Sequence, residues 1–507
     1  MDLIHTTFYT FENKSAASNN EDSFFIILTD ALTFKSLTYE TNIKPHFGNS
    51  ISAAEWSKHV DGNSDVSIHL IGANTGAVVI LTDRESLSRH NSPIQPKSVT
   101  DNILKCISFT TKTKFDLFYI GPKENIVGTI TAAVKCFNIY SEKTSKTPAK
   151  TMNFEMYHLV DGHNKAICDR FKSQLEVLSK GISMSRVITE MPPNIMGPDY
   201  LEAFTREALK EFGEKIVITS LAGLDLEKEG FGGIYNVGKG ANQAPRLIHV
   251  EYDGSDNENL KTIAIVGKGI TFDTGGYTIK GRTGMPGMKR DCGGAAAALG
   301  SFYCLVKGEV KAKLHLLLCI AENAVGPNAL KPDDVIKMYS GKSVEVNNTD
   351  AEGRLVLGDG VAYAKQILKC NVIVDVATLT GAQAYHSGKF HGSVFTNSAN
   401  MEDIFVKCGR EISGEMVHPL LFCPELYMPD LESLVADMKN ANLGNMSAPP
   451  SSLAAHFIGA QIDHGKDVEW VHLDIAAPAK YLEYSTGFGA SLIATTIKHY
   501  VNSVSNQ

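Results

Sequence analysis

The sequence predicts an α/β protein: a C-terminal α/β sandwich around a mixed, largely parallel sheet, plus a smaller N-terminal α/β domain. Three observations carry this expectation. Beyond about residue 195, apolar strand-like runs alternate with helical patterns. Several of those runs are apolar almost throughout, as at 372–376, which marks strands covered on both faces and so a sheet with many parallel neighbours. Between the two halves, Ile167, Phe171, Leu175, Leu178 and Ile182 recur at spacings of 4, 4, 3 and 4, one apolar face of a helix.

Residues 1–160 are rich in Ser, Thr and Asn and carry short β-leaning runs at 24–28, 78–81 and 115–120. A helix is expected over 126–137, and the polar stretch 140–150 reads as a surface loop. The long helix that follows should end near Ile188, because Pro192 and Pro193 cannot continue it and disfavour helical backbone just before them. The chain therefore divides into an N-terminal domain over 1–160, a linking helix over 161–190 and a second domain over 191–507. In the second domain strands are expected at 262–272, 313–321, 343–347, 371–379 and 468–475, and helices at 293–306, 353–368 and 489–501.

Composition narrows the function classes. A chain of 507 residues with 43% hydrophobic and 21% charged positions buries a large core, which excludes intrinsic disorder as its main state. A net charge of −8 lacks the basic footprint that phosphate binding needs, so neither nucleic acid nor an anionic membrane surface is an expected partner. No window approaches the ~18 apolar residues of a membrane span, and residues 1–13 show no basic region followed by an apolar stretch. The nine cysteines form no C-x-x-C metal or redox pattern and read as buried thiols of a cytoplasmic protein.

In sheets of this kind ligands bind beyond the carboxyl ends of the strands. The strand at 262–272 ends in Asp273-Thr-Gly-Gly, with Lys280 shortly after it. Asp291 immediately precedes a small-residue helix start, Cys292-Gly-Gly-Ala, which permits close backbone approach. The strand at 343–347 runs into Asp350 and Glu352, two residues apart in a turn that opens another helix. Four convergent carboxylates need positive compensation. A pair of divalent cations ~3.5–4 Å apart is a recognised hydrolytic arrangement, and Lys268, Lys280 and Arg354 lie in the same segments. Helix N-caps and solvated loop acids are the alternative reading of the same residues.

Residues 348–355 read N-T-D-A-E-G-R-L. Here the sequence resembles the leucyl aminopeptidase (M17) family, of which this octapeptide is the signature. The likeness extends over 266–276, 288–295, 377–382 and 470–476 and covers roughly residues 185–500; the run 284–294 looks most like the family's animal "probable aminopeptidase-like" branch. Residues 1–160 resemble the family's variable N-terminal domain only weakly.

The resemblance implies a cytoplasmic metalloprotease: an exopeptidase that releases residues from peptides with a free N-terminus, using two divalent ions (zinc, with manganese or magnesium in one site). It implies Lys268, Asp273, Asp291, Asp350 and Glu352 as metal ligands, with Glu352 and Asp273 bridging the ions and Lys268 and Asp291 on the more exchangeable one. A lysine ligates only as the neutral amine, so adjacent cations must lower its pKa strongly. The resemblance further implies Lys280 as donor to the tetrahedral oxyanion, Arg354 as holder of a bicarbonate general base, and Met288, Thr378, Leu379 and Gly381 around an apolar pocket for the first side chain. The ions would also hold the substrate's α-amine, and the assembly would be a homohexamer with its sites facing an inner cavity. The loop 281–286 departs from the better-studied members, and Cys292 stands where they often carry Met; both bear on substrate preference more than on the reaction.

Rival motifs fail on single positions. Gly267 and Gly269 begin a dinucleotide fingerprint, but Phe272 occupies its third glycine. The Ser340-Gly-Lys-Ser343 run lacks the upstream glycine of a phosphate loop, where Ile336 stands. His472 reads as a core histidine, Lys289 and Arg290 as a solvated or interface pair, and Cys292 as a packed small residue. A noncatalytic binding protein on the same scaffold and a two-metal phosphoester hydrolase are the competing function classes. The intact Lys280, Arg354 and ligand positions weigh against the first, and the net charge and octapeptide against the second.

Overall fold

The computed structural model describes residues 8–11, 23–60, 67–71, 75–145, 148–254, 261–444 and 446–505. Most of 1–13, read above for a secretory pattern, lies outside them. The chain forms two compact units, Asp2–Lys180 with Cys408–Met416, and Gly181–Lys407 with Val417–Gln507.

The smaller unit is built on parallel pairing of Lys114–Ile120, Ser23–Asp30 and Gly76–Leu81, with Thr151–Val160 parallel beside the first. The runs expected at 24–28, 78–81 and 115–120 fall within these strands. The helix expected over 126–137 stops at Ala133. There the Tyr9 hydroxyl donates to Val134 O at 2.5 Å, so a side chain satisfies a carbonyl that another helical turn would otherwise use. Residues 140–145 and 148–150 carry no helix or strand, as a surface loop should.

In the larger unit eight strands join in one sheet: β1 (Ile216–Ala222), β2 (Arg246–Asp253), β3 (Thr262–Asp273), β4 (Lys313–Asn323), β5 (Val372–Ala377), β6 (Gly392–Thr396), β7 (Val417–Pro419) and β8 (Glu469–Asp474). Their order across the sheet is β7-β6-β8-β5-β3-β4-β2-β1. The central four, β8-β5-β3-β4, are parallel, while β2, β1 and β6 add antiparallel pairs outside them. The sheet is thus mixed with a parallel centre, as the apolar runs predict; all six residues of β5 are buried. The strand expected at 343–347 exists as Ser343–Val346 but belongs to a separate small sheet with Asp334–Lys337 and Met438–Lys439.

Three helices matter for the site: α1 (Asp169–Glu190), α2 (Gly293–Lys307) and α3 (Gly353–Gln366). The division between the two units falls within α1, between Lys180 and Gly181. Helices α2 and α3 cover opposite faces of β3, because neighbouring strand residues point oppositely. A Cβ on Gly267 would lie 2.6 Å from Ala295 Cα of α2, whereas Val266 Cγ1 lies 2.6 Å from where Gly360 of α3 would place one. Val266 packs in one core with Leu355 and Val361 of α3 and Leu317 of β4.

Lys289 and Arg290, expected in solvent or at an interface, instead turn inward within this unit. Both reach Glu190 Oε2 at 3.4 Å, and Arg290 also donates to Glu483 O and Ser485 Oγ. Six of the nine cysteines are buried and Cys168 is exposed; Cys292, as expected, is packed away, and burial pushes its thiol up to about 12. Among the described residues no helix is long and apolar enough to cross a membrane.

His472 is a core histidine. It is fully buried on β8, its Nδ1 is 2.5 Å from Asp375 Oδ1, and Asp375 Oδ2 accepts from Trp470 Nε1 at 2.6 Å. Burial alone would lower its pKa, but the Asp375 carboxylate outweighs it and the net shift is upward. A histidine whose folded pKa exceeds the unfolded value of ~6.5 contributes stability that is full below that value and is lost as pH rises through the folded pKa. The urea midpoint of the wild type should therefore fall as pH rises above about 6.5 by a component that His472→Gln lacks. Parallel profiles for the two proteins would contradict it.

Candidate active site

The carboxyl ends of the parallel strands gather the charged residues. Lys268 lies within β3, Asp273 ends it, and Lys280 follows in the next loop. Asp291 closes the short turn Met288–Arg290 just ahead of α2. Asp350 lies in the turn entering α3, Glu352 is that helix's N-cap, and Arg354 sits in its first turn. Thr378, Leu379 and Gly381 leave the end of β5.

Ion pairs knit these groups together. Lys268 Nζ is 2.8 Å from Asp291 Oδ1 and 3.0 Å from Glu352 Oε1, and it donates to Thr378 O at 3.1 Å. Lys280 Nζ is 2.8 Å from Asp273 Oδ2 and 2.5 Å from Asp350 Oδ1. Carboxylate oxygens of Asp273, Asp350 and Glu352 all lie within 4.8 Å of one another. Lys268, Asp273, Asp291 and Glu352 are buried, and a Cβ on Gly353 would lie 2.6 Å from Lys268 Cε, so a larger residue there would have to displace the end of this lysine.

The charges do not balance internally. Four carboxylates face three cationic side chains, Lys268, Lys280 and the buried Arg354, so negative charge remains in excess. Burial and like charges accordingly raise the Asp291, Asp350 and Glu352 carboxyls above the usual range. Burial works against the charge on Lys268 and Lys280, but the carboxylates around them override it and both stay raised. Arg354 is brought down to about 10 by burial. Among the described residues, Asp291 Oδ2, Glu352 Oε2 and Arg354 Nε are buried without a hydrogen-bond partner. Two unsatisfied carboxylate oxygens with excess negative charge fit divalent cations bound through oxygen, and an unsatisfied guanidinium nitrogen fits an anion.

Three supporting residues escaped the sequence reading. Asn323, at the end of β4, donates to Asp273 Oδ1 at 2.8 Å and to Thr349 O at 3.0 Å. Asn440 O accepts from Arg354 Nη1 at 2.8 Å, and its side chain donates to Asn348 O at 2.7 Å. Asp474, at the end of β8, holds the loop after β5 by accepting from Leu379 N at 3.1 Å and Thr380 Oγ1 at 2.7 Å. Asn323 and Asp474 both end strands, so the strand-end rule that singled out Asp273 applies to them; no local pattern marks Asn440. All eleven residues singled out in the sequence line one cavity of about 610 Å³. Beside the charged cluster its wall is apolar, with Met288, Leu379, Met446, Pro450 and Leu453.

A parallel-centred α/β sheet with a buried carboxylate cluster beside its strand ends is the architecture of an α/β enzyme whose site fits metal ions. Comparison with known proteins places it more closely. Residues 183–494 match the catalytic domain of the cytosol aminopeptidase family, peptidase family M17. Leucine aminopeptidase 1 of Caenorhabditis elegans is 42% identical over 433 residues, 83% of this chain and 84% of the relative. The human probable aminopeptidase NPEPL1 is 43% identical over 413 residues, 80% of this chain and 77% of the relative. The solved structure of the C. elegans leucine aminopeptidase superposes with a TM-score of 0.91 at 36% identity, covering 97% of this chain and 99% of that one. The chain belongs to the M17 cytosol aminopeptidase family and is a metal-dependent, leucyl-type aminopeptidase.

Proposed function

We propose that this aminopeptidase works with two divalent cations held by Asp273, Asp350, Glu352, Asp291 and Lys268, zinc with manganese or magnesium in one site. The observation that carries this reading is the pair of buried, unsatisfied carboxylate oxygens of Asp291 and Glu352 in a cluster where carboxylates outnumber cationic side chains. Asp273 and Glu352 would serve both cations, and Asp291 and Lys268 the more exchangeable one. When bound, the cations supply Lewis acidity at the scissile carbonyl and activation of water at neutral pH, and a bicarbonate on Arg354 supplies a general base.

The chain's own groups do the rest. Lys268 takes part as the neutral amine, so it must release the proton that now pairs it with Asp291 and Glu352. Lys280 stays charged and turns its Nζ to the carbonyl oxygen as that oxygen becomes an oxyanion, an interaction stronger in the transition state than in the substrate. Arg354, anchored through Nη1 on Asn440 O, keeps its buried Nε for the bicarbonate. Met288 and Leu379, with Thr378 and Gly381 beside them, shape an apolar pocket for the first side chain of a peptide with a free N-terminus. The relatives named cytosol aminopeptidases support a cytoplasmic location. A homohexamer is part of the same proposal, and a monomeric mass by light scattering would contradict it.

Kinetics on a leucyl amide, with and without added zinc or manganese, test this assignment. The wild type should require the metal, and Lys280→Ala should lower kcat by ~10²-fold or more with KM little changed. A fall confined to KM would make Lys280 a ground-state binder, and metal-independent turnover would refute the cation assignment.

A further inference from the structure

A second cluster of metal-ligating side chains lies on the sheet away from the carboxylates. Strands β2 and β4 pair antiparallel, with Glu251 opposite His315 and His249 opposite Leu317. Residues two apart on one strand and the residue opposite share a face, so His249, Glu251 and His315 converge. A ring nitrogen of each histidine and a carboxylate oxygen of Glu251 all lie within 4.8 Å of one another. His249 Nε2 and His315 Nδ1 are 2.9 Å apart. One of the two must accept that hydrogen bond, so at least one imidazole is neutral and offers a lone pair. Tyr363 of α3 stands edge-on to His249 with ring centres 5.9 Å apart. His315 is 2% exposed while the Glu251 side chain is 38% exposed, so the cluster is walled on one side and reachable from the other. None of the three residues lines the cavity described above.

We propose that His249, Glu251 and His315 bind a first-row transition ion of the zinc–copper class, in addition to the cations of the carboxylate cluster. Two imidazoles with one carboxylate are a donor set for zinc or copper and a poor one for magnesium or calcium. Zinc–nitrogen bonds of about 2.0–2.1 Å in tetrahedral geometry hold two ligand nitrogens roughly 3.3 Å apart. The ring nitrogens therefore need to part by only a few tenths of an ångström from their 2.9 Å hydrogen bond, with each ring turned to aim its lone pair at the shared ion. Three protein donors leave a fourth position for water. Glu251 must exchange its 2.8 Å ion pair with Lys313 for the metal, and Lys313, 37% exposed, can turn to solvent. The lysine is thus a built-in competitor. An ion here ties the antiparallel strand β2 to the parallel centre at β4.

The test is Cu²⁺ titration of the metal-loaded enzyme, followed by pulsed EPR for coordinated imidazole. No histidine lines the carboxylate cavity, so imidazole modulation separates the two sites. The wild type should take up one equivalent with a two-imidazole signature. His249→Ala and His315→Ala should lose it, Glu251→Gln should weaken binding by more than ~10-fold, and Lys313→Gln should tighten it. Leucyl amide turnover should be unchanged in all four. Absence of the two-imidazole signal in the wild type would overturn the proposal. So would equal Cu²⁺ affinity across wild type, Glu251→Gln and Lys313→Gln, which are half-exposed positions where folding is not at stake.

Discussion

The organisation of the larger unit depends on one constraint: four carboxylates must be held together, largely out of water, around the amines of Lys268 and Lys280. Removing an ion from water costs several kcal/mol even after relaxation, so such a cluster survives only with close opposite charge and directed hydrogen bonds. Lys268 bridges Asp291 and Glu352, Lys280 bridges Asp273 and Asp350, and Asn323 and Thr378 donate to Asp273 and Asp291. Two helix N-termini add to this compensation, since Glu352 caps α3 and Asp291 lies just ahead of α2, where the macrodipole favours negative charge.

Those helices can reach the strand ends only because glycine stands at the contacts. A Cβ on Gly294 would lie 2.1 Å from Val376 O, and one on Gly353 would strike Lys268. The packing of the sheet and the electrostatics of the site are therefore one problem. The small residues that bring α2 and α3 onto β3 and β5 also set the spacing of the charges. The negative charge that remains in excess favours bound cations.

Much of this is legible in the sequence, for physical reasons that also explain the omissions. Strands β3, β4, β5 and β8 are covered on both faces, so they read as apolar runs; β1, at the sheet's edge, and β2 beside it are partly exposed, and their pattern, as in Arg246–Asp253, does not stand out. Asp273, Asp350 and Glu352 are legible because they follow strands and Asp291 because it precedes a small-residue helix start, while the octapeptide at 348–355 carries the family resemblance. Asn440 is not legible, because its contact with Arg354 joins positions 86 residues apart through an irregular segment. Lys289 and Arg290 show as charges in the sequence, but their partner Glu190 lies about a hundred residues away and only tertiary structure reveals it. That the strand at 343–346 stands outside the main sheet is likewise a matter of pairing, which local pattern does not encode.

Anomalous scattering from a crystal of the zinc- or manganese-loaded protein tests the central claim most directly. Two peaks ~3.5–4 Å apart are expected, both within bonding distance of Asp273 and Glu352, with Lys268 Nζ turned to one of them. A single peak, or a Lys268 ammonium still paired with Asp291 in the loaded protein, would contradict it.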